Sequence, residues 1–170
     1  MITILGPTAS GKTSLSVRLA NQFNGEIISA DSRQIYKGMD IGTGKDISEY
    51  IINKKKIKYH LIDIINPNQN YSVFQFKIDF NKSYNKVQSN GKNIFLCGGT
   101  GLYIESILLN YEISNAPPDI NLRAEKFSLS LNQLILDFKR QYPKKYNSSY
   151  HTTKRRIIRS MEILNQNEKL

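Results

Sequence analysis

The stretch that decides the fold is ITILGPTASGKTSLSVRLA, residues 2–20. It begins with a short apolar run typical of a buried parallel strand, and residues 6–13, GPTASGKT, match the pattern G-x-x-x-x-G-K-S/T. An apolar side chain then recurs every four residues, at Leu15, Leu19 and Phe23. This spacing predicts an amphipathic helix with Gly25 as its C-terminal stop. A strand, a glycine-rich loop and a helix in this order are typical of a phosphate-binding loop.

The chemistry of such a loop follows from its backbone. The N–H groups of Ser10 to Thr13 converge on an anion, the Lys12 ammonium reaches its terminal oxygens, and the Thr13 hydroxyl can hold Mg²⁺. The predicted phosphate site therefore comprises Gly6, Pro7, Thr8, Ala9, Ser10, Gly11, Lys12 and Thr13. An ordinary glycine turn is the alternative. The pattern is specific for phosphate, and it does not identify what the phosphate is attached to.

Further along the chain, apolar runs alternate with a helical pattern. The runs predict strands at 26–30 (EIISA), 59–65 (YHLIDII) and 93–97 (NIFLC), and a small hairpin around the turn NKKK. Ser72 and Gln75 form a capping box that begins a helix ending at Gly91. Strands that alternate with helices predict a three-layer α/β fold with a parallel sheet, of the P-loop NTPase-like kind.

The pattern changes near residue 115, beyond which only helical periodicity remains. We therefore predict a catalytic core over residues 1–115 and a helical basic region over 116–170. Of the net charge of +10, most falls between Lys139 and Arg159, where eight basic residues occur and no acid. A solvated surface is one reading of this block. Its density favours a polyanion such as RNA as a partner.

Composition excludes several classes of protein. No apolar run approaches the length of a membrane span, and Met1 leads directly into a strand-like run, so we expect neither a membrane segment nor a targeting leader. Cys97 is the single cysteine, which rules out an internal disulfide and fits a reducing compartment. These observations predict a cytoplasmic protein.

Two polar features follow predicted strands at the edge of the sheet where ligands bind. Asp31 comes directly after the second strand, where a carboxylate can orient an attacking amine or hydroxyl and accept its proton. A role as a loop cap is equally compatible with its position. Residues 98–101, GGTG, follow a later strand and carry the hydroxyl of Thr100. A tight turn would explain these glycines as well as a ligand would.

The segment KRRIIR, residues 154–159, divides into two helix faces. Arg155 and Arg159 are four residues apart and share one face, whereas Ile157 and Ile158 cover another. This arrangement predicts a helix that packs on one side and presents arginines, which suit bidentate phosphate contacts, on the other.

Taken together, GPTASGKT, SADSRQIYKGMDIGTGK, YHLID with YSVFQF, GGTGLYI and RRIIRSMEI resemble the tRNA dimethylallyltransferases, also called tRNA isopentenyltransferases. The motifs occur in the order that the family has and span nearly the whole chain. The resemblance implies transfer of a dimethylallyl group from dimethylallyl diphosphate to N6 of the adenosine 3′-adjacent to the tRNA anticodon. It also implies Mg²⁺ as cofactor and the tRNA anticodon stem-loop as partner, and we expect a monomer.

The resemblance implies a role for each motif. The phosphate loop would bind the diphosphate, with Thr8 and Lys12 near its oxygens and Mg²⁺ near Thr13. Asp31 would be the base for the N6 amine, and Thr100 and Arg123 would contact the tRNA near the reaction centre. The implied tRNA-binding residues form two stretches: Asp31, Ser32, Arg33 and Gln34, then Arg155, Arg156, Ile157, Ile158 and Arg159.

The chain ends soon after RRIIR, so we expect that the family's C-terminal part, with at least one further core strand, is absent from it. Three alternatives to the main reading stay open. An adenylate isopentenyltransferase would prenylate free AMP, although a mononucleotide does not need an extended basic surface. A P-loop nucleotide kinase is disfavoured by DSRQIYKGMDIGTGK and GGTGLY. A non-catalytic RNA-binding remnant is the third.

Overall fold

The computed structural model describes residues 1–45 and 47–167, which form two compact units. The first is Met1–Ile113, here called the core unit, and the second is Ser114–Leu170, here called the helical unit. The division therefore lies close to the change of pattern at residue 115. Within the described residues no helix combines the length and the hydropathy needed to cross a membrane.

The core unit alternates strands and helices. Its elements are β1 (Ile2–Leu5), α1 (Lys12–Gln22), β2 (Gly25–Ser29), a short 3₁₀ turn (Ile47–Tyr50), β3 (Ile51–Ile52), β4 (Lys55–Lys56), β5 (Tyr59–His60), α2 (Val73–Ser89), β6 (Asn93–Gly98) and α3 (Gly101–Leu108). One sheet has the order β1-β6-β2-β5, and all its pairs are parallel. The predicted α/β fold with a parallel sheet is confirmed.

Successive side chains of the central strands β2 and β6 pack into the cores on opposite faces of the sheet. Ile27 pairs with Phe95, and both pack with Val17 of α1 on one face of the sheet. The next pair, Ile28 and Leu96, packs on the other face with aromatic side chains of α2. Because side chains alternate along a strand, two buried faces require strands that are apolar throughout, as these are. The result is the three-layer arrangement.

Helix α1 occupies the predicted position, but it does not bury the predicted stripe. Its buried residues are Ser16, Val17 and Ala20. Leu15 and Phe23 are 42% and 48% exposed. Small side chains let the helix lie close to the sheet, and this close packing decides which face is buried. The helix also ends one position earlier than predicted, because Asn24 takes the left-handed position with φ of 49°.

The predicted strand 59–65 is wrong beyond His60. Leu61 and Asp63 adopt left-handed backbone conformations, with φ of 62° and 55°, which end the strand. Leu61 is nevertheless 5% exposed, so its apolar character reflected burial rather than strand geometry. A hairpin forms as predicted from the antiparallel pair β3 and β4, but its second strand is Lys55–Lys56, within the predicted turn NKKK, rather than the following IKYH. Its turn residues, Asn53 and Lys54, both have positive φ, as tight hairpin turns require.

Helix α2 begins as predicted, with one half of the expected capping box. The Ser72 hydroxyl accepts a hydrogen bond from the Gln75 N–H at 3.2 Å. The side chain of Gln75 instead donates to Asp79 within the helix. The helix ends at Ser89, and Gly91 follows with φ of 63°.

The helical unit consists of α4 (Ile120–Phe127), α5 (Leu131–Gln141) and α6 (Lys154–Asn167). A complete capping box of Ser130 and Gln133 begins α5. The core of the unit is formed by buried side chains of α5, α6 and the segment between them: Leu134, Phe138, Tyr142, Ile157, Ile158 and Met161. The predicted helical character of this region is confirmed.

Candidate active site

A cleft of about 680 Å³ lies in the core unit, where β1, β2 and β6 end. Parallel strands bind ligands at this edge, because the loops that follow the strands meet there. The residues predicted for the site that line it are Thr8, Ala9, Ser10, Gly11, Lys12, Thr13, Asp31, Arg33, Gln34 and Thr100. Three motifs separated in the sequence therefore share one cleft.

The phosphate loop curls through two left-handed positions, Ala9 with φ of 61° and Gly11 with φ of 76°. Such conformations turn successive N–H groups toward one point, which is the geometry that binds anions. Ser10 Oγ donates to the Pro7 carbonyl at 2.8 Å, and the Lys12 ammonium donates to the same carbonyl. The loop is thus closed by its own side chains, with Lys12 as the first residue of α1.

Strands β2 and β6 approach each other closely where they enter the cleft. A Cβ on Gly98 would lie 2.3 Å from the Ala30 carbonyl oxygen, so only glycine fits there. The Ala30 N–H donates to the Cys97 carbonyl at 2.7 Å, and the Thr100 N–H donates to the Ala30 carbonyl at 3.1 Å. This contact places Asp31 beside the GGTG loop.

The side chains of Thr100 and Asp31 accept hydrogen bonds from two successive backbone N–H groups, those of Ser32 and Arg33. Thr100 Oγ1 accepts the Ser32 N–H at 2.9 Å and lies 3.2 Å from Ser32 Oγ. Asp31 Oδ1 accepts the Arg33 N–H at 2.9 Å, and the Asp31 side chain is 17% exposed. A carboxylate with one oxygen engaged and limited solvent exposure keeps acceptor capacity for a ligand N–H.

Gln34 joins β2 to another wall of the cleft. Its Oε1 accepts a hydrogen bond from Ser29 Oγ at 3.1 Å, and its Nε2 donates to the Gly44 carbonyl at 3.1 Å. The resemblance implies a tRNA contact for Gln34. In the structure both ends of its amide serve to position the segment that contains Gly44.

Lys45 also lines the cleft and was not among the predicted site residues. Its side chain is fully buried, and its Nζ lies 2.7 Å from Asp40 Oδ1 and 2.5 Å from Asp63 Oδ1. It also donates to the Tyr36 carbonyl at 2.9 Å. Burial acts to lower the pKa of Lys45, but the hydrogen bonds to both carboxylates outweigh it and raise that pKa. The signal was present, because Lys45 and Asp63 each fall in a quoted motif.

Glu49 and Tyr50 are among the other cleft residues outside the predicted set. Tyr50 is 4% exposed, and its ring lies 4.6 Å from that of Tyr59. Burial raises the pKa of the Tyr50 phenol, so it stays a neutral hydroxyl.

Arg123 lies in the helical unit, where its guanidinium forms a two-point contact with Glu162. The distances are 2.6 Å from Nε to Oε1 and 3.1 Å from Nη2 to Oε2. Glu162 is fully buried in its side chain and also accepts bonds from Arg159 and from the Asp119 N–H. The role of Arg123 near the reaction centre stays a prediction.

The apolar face of the arginine-rich helix forms as predicted, whereas Arg159, predicted to share an exposed face with Arg155, is half-buried and donates to Glu162 at 2.9 Å. Arg155 is exposed, and Arg156 donates to Thr152 Oγ1 at 2.9 Å. Ile157 and Ile158 are 0% and 2% exposed in the core of the helical unit. Only the backbone of these two residues could therefore contact tRNA, and their place in the tRNA-binding stretch stays a prediction.

Within the described residues no cluster of three or more His, Cys, Asp or Glu side chains could hold a metal ion. Mg²⁺ does not need such a cluster, because it is commonly bound through phosphate oxygens, water and one or two protein oxygens. Thr13, whose side chain carries a hydroxyl, lines the cleft next to Lys12. The residues present thus fit a magnesium ion that arrives with a diphosphate.

A parallel sheet, a phosphate loop between β1 and α1, and a carboxylate after β2 at the same edge define an α/β protein of the P-loop class. The sequence model of the family described as IPP transferase matches residues 34–170. The chain belongs to this family.

Relatives with assigned names agree with the family. The chain is 49% identical over 163 residues to tRNA dimethylallyltransferase 1 of Azobacteroides pseudotrichonymphae, covering 96% of this chain and 53% of the relative. For tRNA dimethylallyltransferase 1 of Geotalea daltonii the identity is 44%, with coverage of 96% and 52%. The chain spans about half the length of the curated relatives that it matches.

Solved structures share the fold. The full-length tRNA isopentenylpyrophosphate transferase of Bacillus halodurans has a TM-score of 0.62 and 36% identity, over 96% of this chain and 55% of that one. A eukaryotic dimethylallyltransferase acting on tRNA has a TM-score of 0.77 and 26% identity, over 96% and 40%.

Proposed function

We propose that this protein transfers the dimethylallyl group of dimethylallyl diphosphate to N6 of the adenosine 3′-adjacent to the tRNA anticodon, giving N6-isopentenyladenosine. The observation that carries the proposal is that Asp31 and the phosphate loop line the same cleft. A leaving group and an attacking amine must be brought together, and the cleft offers an anion site beside a carboxylate.

The phosphate loop would hold the leaving diphosphate. Its N–H groups face the anion, the N-terminus of α1 adds partial positive charge, and Lys12 neutralises the terminal oxygens. Mg²⁺ would be held by the Thr13 hydroxyl together with diphosphate oxygens, and it would stabilise the charge that develops on them. These groups favour breakage of the bond between the allylic carbon and oxygen.

Asp31 would act on the attacking nitrogen. The N6 amine of adenine is a weak nucleophile, because its lone pair is delocalised into the ring. A carboxylate that accepts a hydrogen bond from N6 directs the amine at the allylic carbon and takes its proton as the carbon–nitrogen bond forms. Thr100 would support Asp31 through the bonded Ser32 backbone.

The tRNA anticodon stem-loop would be held by basic residues. Arg33 at the cleft and Arg155 on α6 are exposed and suit phosphate contacts. The adenosine must leave its stack to enter the cleft, as single-stranded RNA bases do when proteins bind them. A cytoplasmic location and a monomeric state belong to this proposal as expectations.

The test is transfer of label from radiolabelled dimethylallyl diphosphate, with Mg²⁺, to unmodified tRNA or to AMP. We expect label on tRNA. Label on AMP alone would support the adenylate isopentenyltransferase. Label on neither, with RNA still bound, would support the non-catalytic remnant, and phosphoryl transfer from ATP to a nucleotide would support the kinase.

Asp31→Asn tests the proposed base with little change in shape. We expect transfer to fall by about 100-fold or more, whereas pyrophosphate affinity measured by calorimetry stays near that of the unaltered protein. Glu105→Gln is the matched control, because it removes a carboxylate from an exposed position on α3. Full turnover in Asp31→Asn would exclude Asp31 as the base.

A further inference from the structure

The segment of residues 40–45, here called the cleft-wall segment, has a backbone that needs external support. Asp40, Gly42, Thr43, Gly44 and Lys45 all line the cleft. Gly42 and Gly44 have φ of 76° and 67°, in the left-handed region. Glycine loses more conformational entropy than other residues when it is fixed, so a segment with two such positions is ordered only if neighbouring groups hold it.

The Lys45 ammonium supplies that support with full use of its hydrogen-bonding capacity. It has three N–H donors, and three acceptors surround it: Asp40 Oδ1, Asp63 Oδ1 and the Tyr36 carbonyl. Asp40 begins the segment, Tyr36 precedes it in the same loop after β2, and Asp63 lies in the loop after β5. The buried ammonium thus connects Asp40 and Lys45, the two ends of the cleft-wall segment, to Asp63 in the loop that follows β5.

The buried charge is balanced within its own cluster. A lone ammonium in this position would cost several kcal/mol to desolvate, but two carboxylates compensate it. The compact ammonium suits three acceptors that converge on one point, whereas the planar guanidinium of arginine presents its donors in a fork. The arrangement is therefore specific for lysine.

We propose that Lys45 is a positioning residue for the transfer reaction, which fixes the cleft-wall segment against the reaction centre. This inference rests on the proposed function. Lys45 acts through the backbone of Gly42 to Gly44 and through Gln34, which donates to the Gly44 carbonyl. The phosphate loop is held by its own hydrogen bonds, from Ser10 and Lys12 to the Pro7 carbonyl. Loss of Lys45 should therefore impair transfer while diphosphate binding is kept.

The test compares Lys45→Met with Lys58→Met in the full chain. Lys58 pairs with Glu26 at 3.2 Å, is half exposed and does not line the cleft, so it is a matched loss of one lysine and one ion pair. We expect Lys45→Met to lower transfer to tRNA about 100-fold, mainly in kcat, with pyrophosphate affinity within about threefold. Lys58→Met should transfer within about twofold of the unaltered protein.

Hydrogen exchange supplies a readout that does not depend on catalysis. We expect faster exchange in residues 40–45 of Lys45→Met and unchanged exchange in the phosphate loop. If Lys45→Met does not fold, Lys45→Arg carries the test, because it keeps the charge but not the geometry, and its transfer should fall about tenfold.

The outcomes separate this inference from the proposed function. Transfer by Lys45→Met or a folded Lys45→Arg at the unaltered rate would overturn the positioning role and leave the proposed function intact. Loss of pyrophosphate binding together with transfer would show a general structural role instead. An unaltered protein that modifies no tRNA would remove the proposed function, and the inference with it.

Discussion

The Thr100 hydroxyl oxygen accepts a hydrogen bond from the Ser32 backbone N–H at 2.9 Å, although 68 positions separate the two residues. This bond joins the loop after β6 to the loop after β2, which carries Asp31. A partly buried backbone N–H that is withdrawn from water on folding needs another acceptor, so loss of this bond would affect both stability and the position of Asp31.

Thr100→Val keeps the shape of the side chain and removes the acceptor. We expect a loss of about 1–2 kcal/mol in the free energy of unfolding, because the Ser32 N–H is left unsatisfied. Transfer should fall more in kcat than in KM for dimethylallyl diphosphate. Urea unfolding and transfer kinetics measure the two effects. Thr100→Ser, which keeps the hydroxyl, is the control, and equal behaviour of both variants would contradict the role of this bond.

The two glycines before Thr100 should respond very differently to alanine. A Cβ on Gly98 would lie 2.3 Å from the Ala30 carbonyl oxygen, whereas one on Gly99 would lie 3.9 Å from its nearest neighbour, the Gly6 carbonyl oxygen. We expect Gly98→Ala to cost about 3 kcal/mol or more and Gly99→Ala less than about 1 kcal/mol. Urea unfolding followed by circular dichroism measures both. Similar costs for the two variants would show that the strands do not approach as described.

Arg155 provides a cleaner test of RNA binding than Arg159, which bonds to Glu162 at 2.9 Å. We expect Arg155→Ala to weaken tRNA binding and to reduce the slope of log Kd against log salt by about 1, as loss of one phosphate contact does. Binding is measured by filter retention across a salt series. Lys82→Ala, an exposed cation on α2, is the control. A slope that changes equally in both variants would indicate a general charge effect.

Glu162→Gln tests the ion cluster of the helical unit. Burial acts to raise the pKa of Glu162, but hydrogen bonds from Arg123 and Arg159 outweigh it and hold that pKa below its ordinary value. We expect Glu162→Gln to lower the free energy of unfolding by about 2–3 kcal/mol at pH 7. Glu125→Gln, at an exposed position paired with Lys126, should cost less than about 0.5 kcal/mol.

The same cluster predicts a dependence on pH. Because the pKa of Glu162 is lower in the folded state than in the unfolded state, its stabilising contribution is present well above about pH 4.3 and is lost as the pH falls through the folded value. The difference between the unaltered protein and Glu162→Gln should therefore shrink between pH 6 and about pH 3. Urea titrations at both ends measure it, and a constant difference would contradict the assignment.

Local patterns in the sequence predicted much of the fold. The phosphate loop, the central strands β2 and β6 and the start of α2 depend on residues close together in the chain, so motif and periodicity identify them. The strand expected at 59–65 failed, because Leu61 and Asp63 take left-handed conformations that apolar periodicity does not encode.

The candidate site divides in the same way. Asp31 and Thr100 could be predicted, because each follows a strand at the edge where ligands bind. Lys45 lies in a quoted motif, but its contact could not be predicted, since it depends on Asp63, which a turn after β5 brings to it. The periodicity placed Ile157 and Ile158 on the packed face of their helix, and both are buried in the core of the helical unit, whereas the tRNA contact implied for them by the resemblance stays a prediction.

By itself, then, the sequence determined the class of fold, the phosphate loop and the family, because these are carried by short motifs whose backbone conformation is local. Only the tertiary structure decided which side chains meet in the cleft and which face of each helix is buried. Those outcomes depend on contacts between distant segments, where the close approach of Gly98 to Ala30 and the buried charge of Lys45 select a single arrangement.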